Sequence, residues 1–110
     1  MSSTFSTHVL DTAHGCPAAG VAVTLADAAG ETLFSGATDA DGRCPKQSGL
    51  QAGRYTVSFA IAAYFRARGV ELPDPPFLDV VRIDFGISAS GHYHVPLLAS
   101  PFSCSTYRGS

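Results

Sequence analysis

The chain has 110 residues, of which 45% are hydrophobic and 15% are charged, and its formal net charge is −2. This length fits one domain, residues 1–110, with enough apolar material for a packed core, so a disordered chain is excluded. No basic stripe suited to nucleic acid and no apolar run able to span a bilayer is present.

Strand patterns dominate the chain. The clearest are residues 54–61 and 79–87, in which apolar residues alternate with polar ones as in half-buried strands. In chain order, we predict strands at residues 7–11, 21–26, 31–34, 54–61, 79–87 and 92–98. Short strands at this spacing are typical of an antiparallel β-sandwich or barrel.

Turn sequences separate these strands. They lie at residues 15–20, 27–30, 39–42 and 90–91, and the second of them suits a hairpin. Residues 61–68 predict one short helix that ends at Gly69. The proline-rich segment at residues 73–76 is neither helix nor central strand, so we expect a stiff connection there.

The first and last predicted strands carry histidines on the side that faces away from the core. If Val9 points inward, His8 lies on the outer side, and the same alternation places His92 and His94 outward. A slip of one residue in the register would reverse this assignment. The apolar residues that share the outer side are Leu10, Pro96 and Leu98. Apolar and ionisable side chains together suggest a partly buried surface, such as an interface or a cleft.

From the residues alone, several interpretations of these side chains stay open. The histidines are either ordinary solvated residues or, with His92 and His94 on one side and His8 as a third ligand, a metal site. Arg43 is either a solvated loop residue or a guanidinium held by its turn to bind carbonyl or anionic groups. Cys44 beside it has no evident activating base, which argues against a nucleophile.

The cysteines and the chain termini indicate a cellular location. Cys16, Cys44 and Cys104 are odd in number and show no CxxC spacing, so we predict reduced thiols rather than a disulfide framework. The N-terminal residues lack the blocks of a signal peptide, and the last three do not match a peroxisomal address. We therefore expect a cytoplasmic protein whose mature chain starts near Met1.

Three segments of the chain resemble the 5-hydroxyisourate hydrolases, the enzymatic branch of the transthyretin superfamily. They are residues 6–12 (STHVLDT) with 15–18 (GCPA), residues 38–44 (TDADGRC), and residues 92–98 (HYHVPLL) continuing through 100–102 (SPF) to 107–110 (YRGS). The terminal tetrapeptide is the signature that separates these enzymes from the hormone-binding transthyretins. Two departures, Cys104 in place of an aromatic residue and Ala99 in place of Leu, affect local packing only.

The resemblance implies a complete set of properties. The fold is an all-β, transthyretin-like sandwich of two four-stranded sheets with one short helix, assembled as a homotetramer, a dimer of dimers with active sites in the channel between them. The activity is hydrolysis of 5-hydroxyisourate to 2-oxo-4-hydroxy-4-carboxy-5-ureidoimidazoline in urate degradation, with no cofactor or metal. The implied catalytic residues are His8, Arg43 and His94, and the implied substrate-binding residues are Tyr107, Arg108, Gly109 and Ser110. His92 receives no primary role.

Three other functions compete with this one. A transthyretin-type carrier would hold a small apolar ligand in the channel, but two imidazoles and an arginine make such a channel polar. An adhesive, non-catalytic sandwich module would persist as a monomer. A metal-dependent hydrolase would lose activity in the presence of a chelator.

Overall fold

The strands and the helix are taken from a computed structural model, which describes residues 2–110. Within that range there are eleven strands and one helix. In chain order they are β1 (Ser3–Ser6), β2 (Val9–Asp11), β3 (Cys16–Pro17), β4 (Ala22–Asp27), β5 (Thr32–Ala37), β6 (Gln47–Leu50), β7 (Gly53–Ala60), α1 (Ile61–Ala67), β8 (Val80–Ile87), β9 (His92–His94), β10 (Leu97–Ala99) and β11 (Cys104–Thr106).

The first sheet consists of β5, β4, β7 and β8, all paired antiparallel. The hairpin predicted at residues 27–30 joins β4 to β5, and the Asp27 carboxylate accepts two backbone N–H groups of the turn. The alternation predicted for β4 and β7 is also observed. Its fully buried inward residues are Val23, Leu25, Val57 and Phe59.

The second sheet has an interruption in the middle. Its two parts are β6-β1-β9 and β11-β10-β2-β3. They belong to one sheet because the chain runs from β1 into β2 and from β9 into β10, and N–H groups of Val95 and Leu97 still donate to the carbonyls of Ser6 and His8, both at 2.9 Å. Pro96, which lies between the two donors, has no N–H to offer. The predicted sandwich of two four-stranded sheets is confirmed.

One hydrophobic core lies between the two sheets and beneath the helix. Phe5 from the second sheet and Phe59 from the first are both buried in it. Helix α1, predicted at residues 61–68, adds four buried side chains and is followed by Gly69 at φ +84°. Glycine readily adopts the left-handed conformation that ends a helix, and the predicted helix end at Gly69 is confirmed. The described residues contain no helix long and apolar enough to cross a membrane.

The shortest strands differ from the sequence predictions. β3 lies inside a segment that we predicted as a turn, β6 was not predicted, and β1 extends the first strand back from residue 7 to Ser3. Each of these elements spans only two to four residues. No alternating pattern develops over such lengths, so the pairing is decided by a partner strand elsewhere in the chain.

A buried carboxylate ties helix α1 to the second sheet. The Asp11 side chain is fully buried and accepts hydrogen bonds from the Tyr64 hydroxyl at 2.7 Å and from the His14 ring at 2.6 Å. The backbone N–H groups of Ala13 and His14 also donate to it. Burial by itself raises the pKa of Asp11, but the hydrogen bonds from Tyr64 and His14 outweigh it and leave that pKa below its usual value.

Replacing Tyr64 with Phe is expected to lower the free energy of unfolding by about 1.5–3 kcal/mol, because it removes a hydrogen bond to a buried charge. The contribution of Asp11 is present above the unfolded pKa of 3.8 and is lost as the pH falls through the lowered folded pKa. The difference in unfolding free energy between the wild type and Tyr64→Phe should therefore shrink as the pH falls below 3.8 and through the folded pKa of Asp11. Urea denaturation at several pH values and one protein concentration measures it.

The matched control is Tyr55→Phe, because the Tyr55 hydroxyl donates to the uncharged carbonyl of Gln51 at 2.6 Å. We expect a loss of about 0.5–1.5 kcal/mol there, with no such pH dependence. Losses of the same size and pH profile in both variants would show that Asp11 does not anchor the helix.

Candidate active site

Four distant parts of the chain meet on the second sheet. His8 pairs with Arg43 through an isolated antiparallel bridge, and His94 pairs with Gly109 in the same way. The stretches that carry His8 and His94 are hydrogen-bonded neighbours, since the N–H of Leu97 donates to the His8 carbonyl. The order across the sheet is therefore Arg43, His8, His94 and Gly109.

Both imidazoles project from the side of the second sheet that is turned away from the core, which we call the outer face. Each of the two histidines lies between buried sequence neighbours and is itself half-buried. Ser6 stands directly opposite His94 in the parallel register, and His8 follows Ser6 by two residues on the same face. The two histidines are therefore diagonal neighbours on one face of the sheet. The faces agree with the sequence prediction.

A tight turn places Arg43 beside His8. The Asp39 carboxylate accepts the N–H groups of Asp41 at 2.9 Å and of Arg43 at 3.0 Å. Gly42 stands at φ +77°, and a Cβ on it would overlap the carbonyl oxygen of Val9. Only glycine suits this position, because its backbone is left-handed and packs against the neighbouring strand. The pKa of Asp39 is lowered, and the largest cause is the hydrogen bond that its carboxylate accepts from the backbone N–H of Arg43.

The environment of His94 favours its neutral form. Burial is the main cause that lowers the pKa of His94, and the positive charges of Arg43, His92 and His8 lower it further. Its Nδ1 lies 2.7 Å from the Ser6 hydroxyl. A His94 that is neutral near pH 7, with one ring nitrogen held in place, is suited to accept a proton at Nε2.

The tail of the chain lies against the His94 ring. The N–H of Gly109 donates to the His94 carbonyl at 2.8 Å. Its pairing continues the register of β10 and β11: three residues back from Leu97 is His94, and three residues on from Thr106 is Gly109. A Cβ on Gly109 would overlap the imidazole. The close approach of backbone to ring therefore requires glycine here.

The other three residues of the terminal tetrapeptide do not lie on the His94 ring as Gly109 does. The Arg108 guanidinium stacks over the Tyr93 ring at 4.1 Å and donates to the His92 carbonyl at 3.3 Å. Tyr93 is buried and faces the core, so Arg108 lies on the other side of the strand from the His94 ring. Tyr107 is 61% exposed, and Ser110 is also exposed. Within this single chain, the tail brings only Gly109 onto the His94 imidazole.

Two of the open interpretations find no support in the structure. Among residues 2–110, no three His, Cys, Asp or Glu side chains are grouped to hold a metal ion, so His8, His92 and His94 do not form such a site. Burial and the negative charge of Asp39 raise the pKa of the Cys44 thiol, which opposes the thiolate that a nucleophile needs.

Sequence reasoning missed a hydrogen-bonded row beside His94. The Thr4 hydroxyl lies 2.6 Å from His92 Nδ1, and the Ser6 hydroxyl lies 2.9 Å from His92 Nε2 and 2.7 Å from His94 Nδ1. The signal available was the matching spacing of Thr4 and Ser6 with His92 and His94. It becomes informative only once the two strands are known to pair in parallel.

Comparisons with known proteins agree on one family. The model of the HIUase/Transthyretin family matches residues 5–109. The 5-hydroxyisourate hydrolase of Ralstonia nicotianae is 52% identical, over 96% of this chain and 97% of that protein. The solved structure of Klebsiella pneumoniae 5-hydroxyisourate hydrolase has a TM-score of 0.85 and 42% identity, over 98% and 94% of the two chains. Sea bream transthyretin in complex with thyroxine has a TM-score of 0.80 and 32% identity, over 96% and 93%.

Proposed function

This chain belongs to the HIUase/Transthyretin family, and on that premise we propose that it hydrolyses 5-hydroxyisourate to 2-oxo-4-hydroxy-4-carboxy-5-ureidoimidazoline. The enzymatic branch is supported by relatives of that name that match nearly the full chain. The observation that carries the proposal is the convergence of His8, Arg43 and His94 on the outer face. The expected family resemblance is confirmed, whereas the roles of individual residues remain proposals.

In the proposed reaction, water adds across the ring amide of the substrate. The water oxygen bonds to the carbonyl carbon, the carbon–nitrogen bond breaks, and the departing nitrogen gains a proton. His94 acts as the general base through Nε2, because its lowered pKa keeps the ring neutral and its Nδ1 is held by Ser6. His8, on the same face, orients the water and donates a proton to the departing nitrogen; solvent replaces that proton on His8 while His94 releases the proton it took from water.

Arg43 stabilises the oxyanion that forms on the carbonyl oxygen. Its backbone is fixed by the Asp39 turn and by the bridge to His8, so the guanidinium is presented at the same face as both imidazoles. A preorganised donor of this kind contributes about 3–4 kcal/mol to lowering the barrier. Gly109 packs on His94 and limits the positions that its ring can adopt. Tyr107, Arg108 and Ser110 are proposed to bind the substrate ring. Since Arg108 stacks on Tyr93, on the other side of the strand from His94, its contact with the substrate requires its side chain to move or a second protomer to bring the substrate to it.

The site is proposed to be complete only in a homotetramer, a dimer of dimers. In the described chain, Arg43 is exposed and both histidines are only half-buried on the outer face. Half-buried Leu10 and Leu98 share that face. Covering it with a second protomer would exclude water and strengthen the electrostatic interactions inside.

The absorbance of freshly generated 5-hydroxyisourate tests the function directly. We expect its ultraviolet absorbance to decay far faster with the protein than in buffer, and equally fast in the presence of a chelator. Decay at the buffer rate would refute the hydrolase, and saturable ligand binding without turnover would indicate a carrier. Decay abolished by the chelator would indicate a metal-dependent enzyme instead.

The assembly is tested by sedimentation. We expect a particle of about four times the 11.4 kDa chain mass. A persistent monomer would remove the channel from the proposal. The cytoplasmic location and the single-domain organisation remain predictions from the sequence.

A further inference from the structure

The proposed base His94 is one end of a hydrogen-bonded row that reaches an exposed imidazole. From Thr4, the row passes to His92, then to Ser6 and then to His94 Nδ1, with contacts of 2.6, 2.9 and 2.7 Å. The two rings are stacked, with centroids 6.4 Å apart and planes 16° from parallel. His92 is exposed, whereas His94 is half-buried. The row therefore connects the proposed site to an imidazole that is exposed in the single chain and lies on the edge strand β9. For the proton to reach solvent in the proposed tetramer, the second protomer must leave His92 uncovered.

The strand register explains why these four side chains form a row. Thr4 stands opposite His92 and Ser6 opposite His94 in the parallel pairing of β1 with β9. Because side chains two residues apart share a face, both hydroxyls and both rings project from the outer face. The row follows from backbone pairing and does not depend on a loop conformation.

The Ser6 hydroxyl carries one proton, and this limits the row to two arrangements. In the first, His94 Nδ1–H donates to Ser6, Ser6 donates to His92 Nε2, and His92 Nδ1–H donates to Thr4. His94 Nε2 then has a free lone pair and acts as a base. In the second, every donor is reversed, and His94 Nε2 carries the proton. The first arrangement becomes the second when one proton enters at His94 Nε2 and another leaves at the Thr4 end of the row; before it leaves, His92 carries a proton on both ring nitrogens.

We propose that Ser6 and His92 are positioning residues that hold His94 as a base and carry the proton taken from water out to the solvent-exposed imidazole. When His94 Nε2 accepts that proton, its Nδ1 proton moves to Ser6 as the Ser6 hydroxyl proton moves to His92 Nε2. His94 is then neutral with its proton on Nε2, and His92 is the cation. The proposal rests on the hydrolase function proposed above.

The charges around the two rings favour this direction of transfer. A cationic His94 faces Arg43, His8 and His92 and is half-buried, so both desolvation and like charge oppose it. A cationic His92 is exposed to water, which stabilises its charge. Arg108 also lies near His92, because its guanidinium donates to the His92 backbone carbonyl at 3.3 Å.

The first test compares Ser6→Ala with Ser6→Thr. Alanine breaks the row, so we expect kcat to fall about 10- to 100-fold with KM nearly unchanged, which is less than the loss of the base itself. Alanine also removes the acceptor of the His94 Nδ1 proton, so the acidic limb of the pH–rate profile should move to lower pH. Threonine keeps the hydroxyl and should retain both kcat and the profile. An unchanged kcat and pH profile in Ser6→Ala would overturn the proposal.

The second test replaces His92 with Gln. Glutamine can hydrogen-bond to Ser6 but cannot carry a proton, so a purely structural role would survive the change. We expect a loss of about tenfold or more in kcat. Removing His92, which is one of the groups that lower the pKa of His94, should also move the acidic limb to higher pH, opposite to Ser6→Ala. The control is His14→Gln, which removes an exposed imidazole that contacts Asp11 and not the outer face. Wild-type kcat in His92→Gln would exclude the transfer.

A readout without turnover separates this inference from the proposed function. ¹⁵N NMR should show His94 in a single tautomer in the wild-type protein and in a mixture in Ser6→Ala. If the wild-type protein does not hydrolyse 5-hydroxyisourate, the proposed function is lost, and the tautomers alone decide whether the row holds His94. The same tautomer in both proteins would overturn that part of the inference.

Discussion

Replacing His94 with Asn is expected to lower kcat for 5-hydroxyisourate about 10²- to 10⁴-fold, the usual contribution of a positioned general base. The Asn amide can still bond to the Ser6 hydroxyl, which in the native protein lies 2.7 Å from His94 Nδ1. It has no lone pair that accepts a proton near neutral pH. We therefore expect a folded protein of unchanged solution size that binds the substrate and scarcely turns it over. Steady-state absorbance kinetics together with sedimentation measure both properties.

The wild-type pH profile gives an independent check of the same role. The base is the neutral imidazole, so activity should disappear as the pH falls through the pKa of His94. Because burial and the neighbouring cations lower that pKa, the loss should occur below the ordinary value of 6.5. His14→Asn serves as the control, since His14 lies beside Asp11 and outside the outer face. Near-normal turnover in His94→Asn would remove this residue from the mechanism.

The correct sequence predictions concern residues whose environment is set by their immediate neighbours. Buried Thr7 and Val9 on either side of His8 were enough to place its side chain outward, and the same alternation placed His94. The helix was found because residues 61–68 end at a glycine. In each case the local period decides which side of an element faces the core.

The features that the sequence did not reveal depend on pairing between distant segments. Ser6 and His92 are 86 residues apart, and their contact exists only in the parallel register of β1 with β9. The position of Arg108 likewise depends on where the tail pairs. Once Gly109 lies on His94, the preceding residue of an extended tail points to the opposite side, and Arg108 is found there over Tyr93. The tetrapeptide motif alone does not show which of its residues face His94 and which face the opposite side of the strand.

Replacing Gly109 with Ala is expected to lower kcat/KM about 100-fold, although no ionisable group is lost. The added Cβ would overlap the His94 ring, so either the ring shifts or the tail leaves the sheet. A displacement of about 1 Å at a reacting group is enough for a loss of this size.

Deleting residues 107–110 should abolish turnover while sparing the fold, because the tail contributes little to the core.

Gly86→Ala is the matched control for Gly109→Ala. Gly86 lies in β8, at the edge of its sheet. Its φ is not left-handed, and a Cβ there would contact nothing within 4 Å. We expect wild-type kinetics in that protein. In Gly109→Ala, the NMR shifts of the His94 ring should change while thermal unfolding stays close to that of the wild type, since the strain falls on a half-buried ring and an exposed tail. Wild-type kinetics in Gly109→Ala would mean that the tail does not position His94. Unfolding of the chain that lacks residues 107–110 would mean that the tetrapeptide has a structural role.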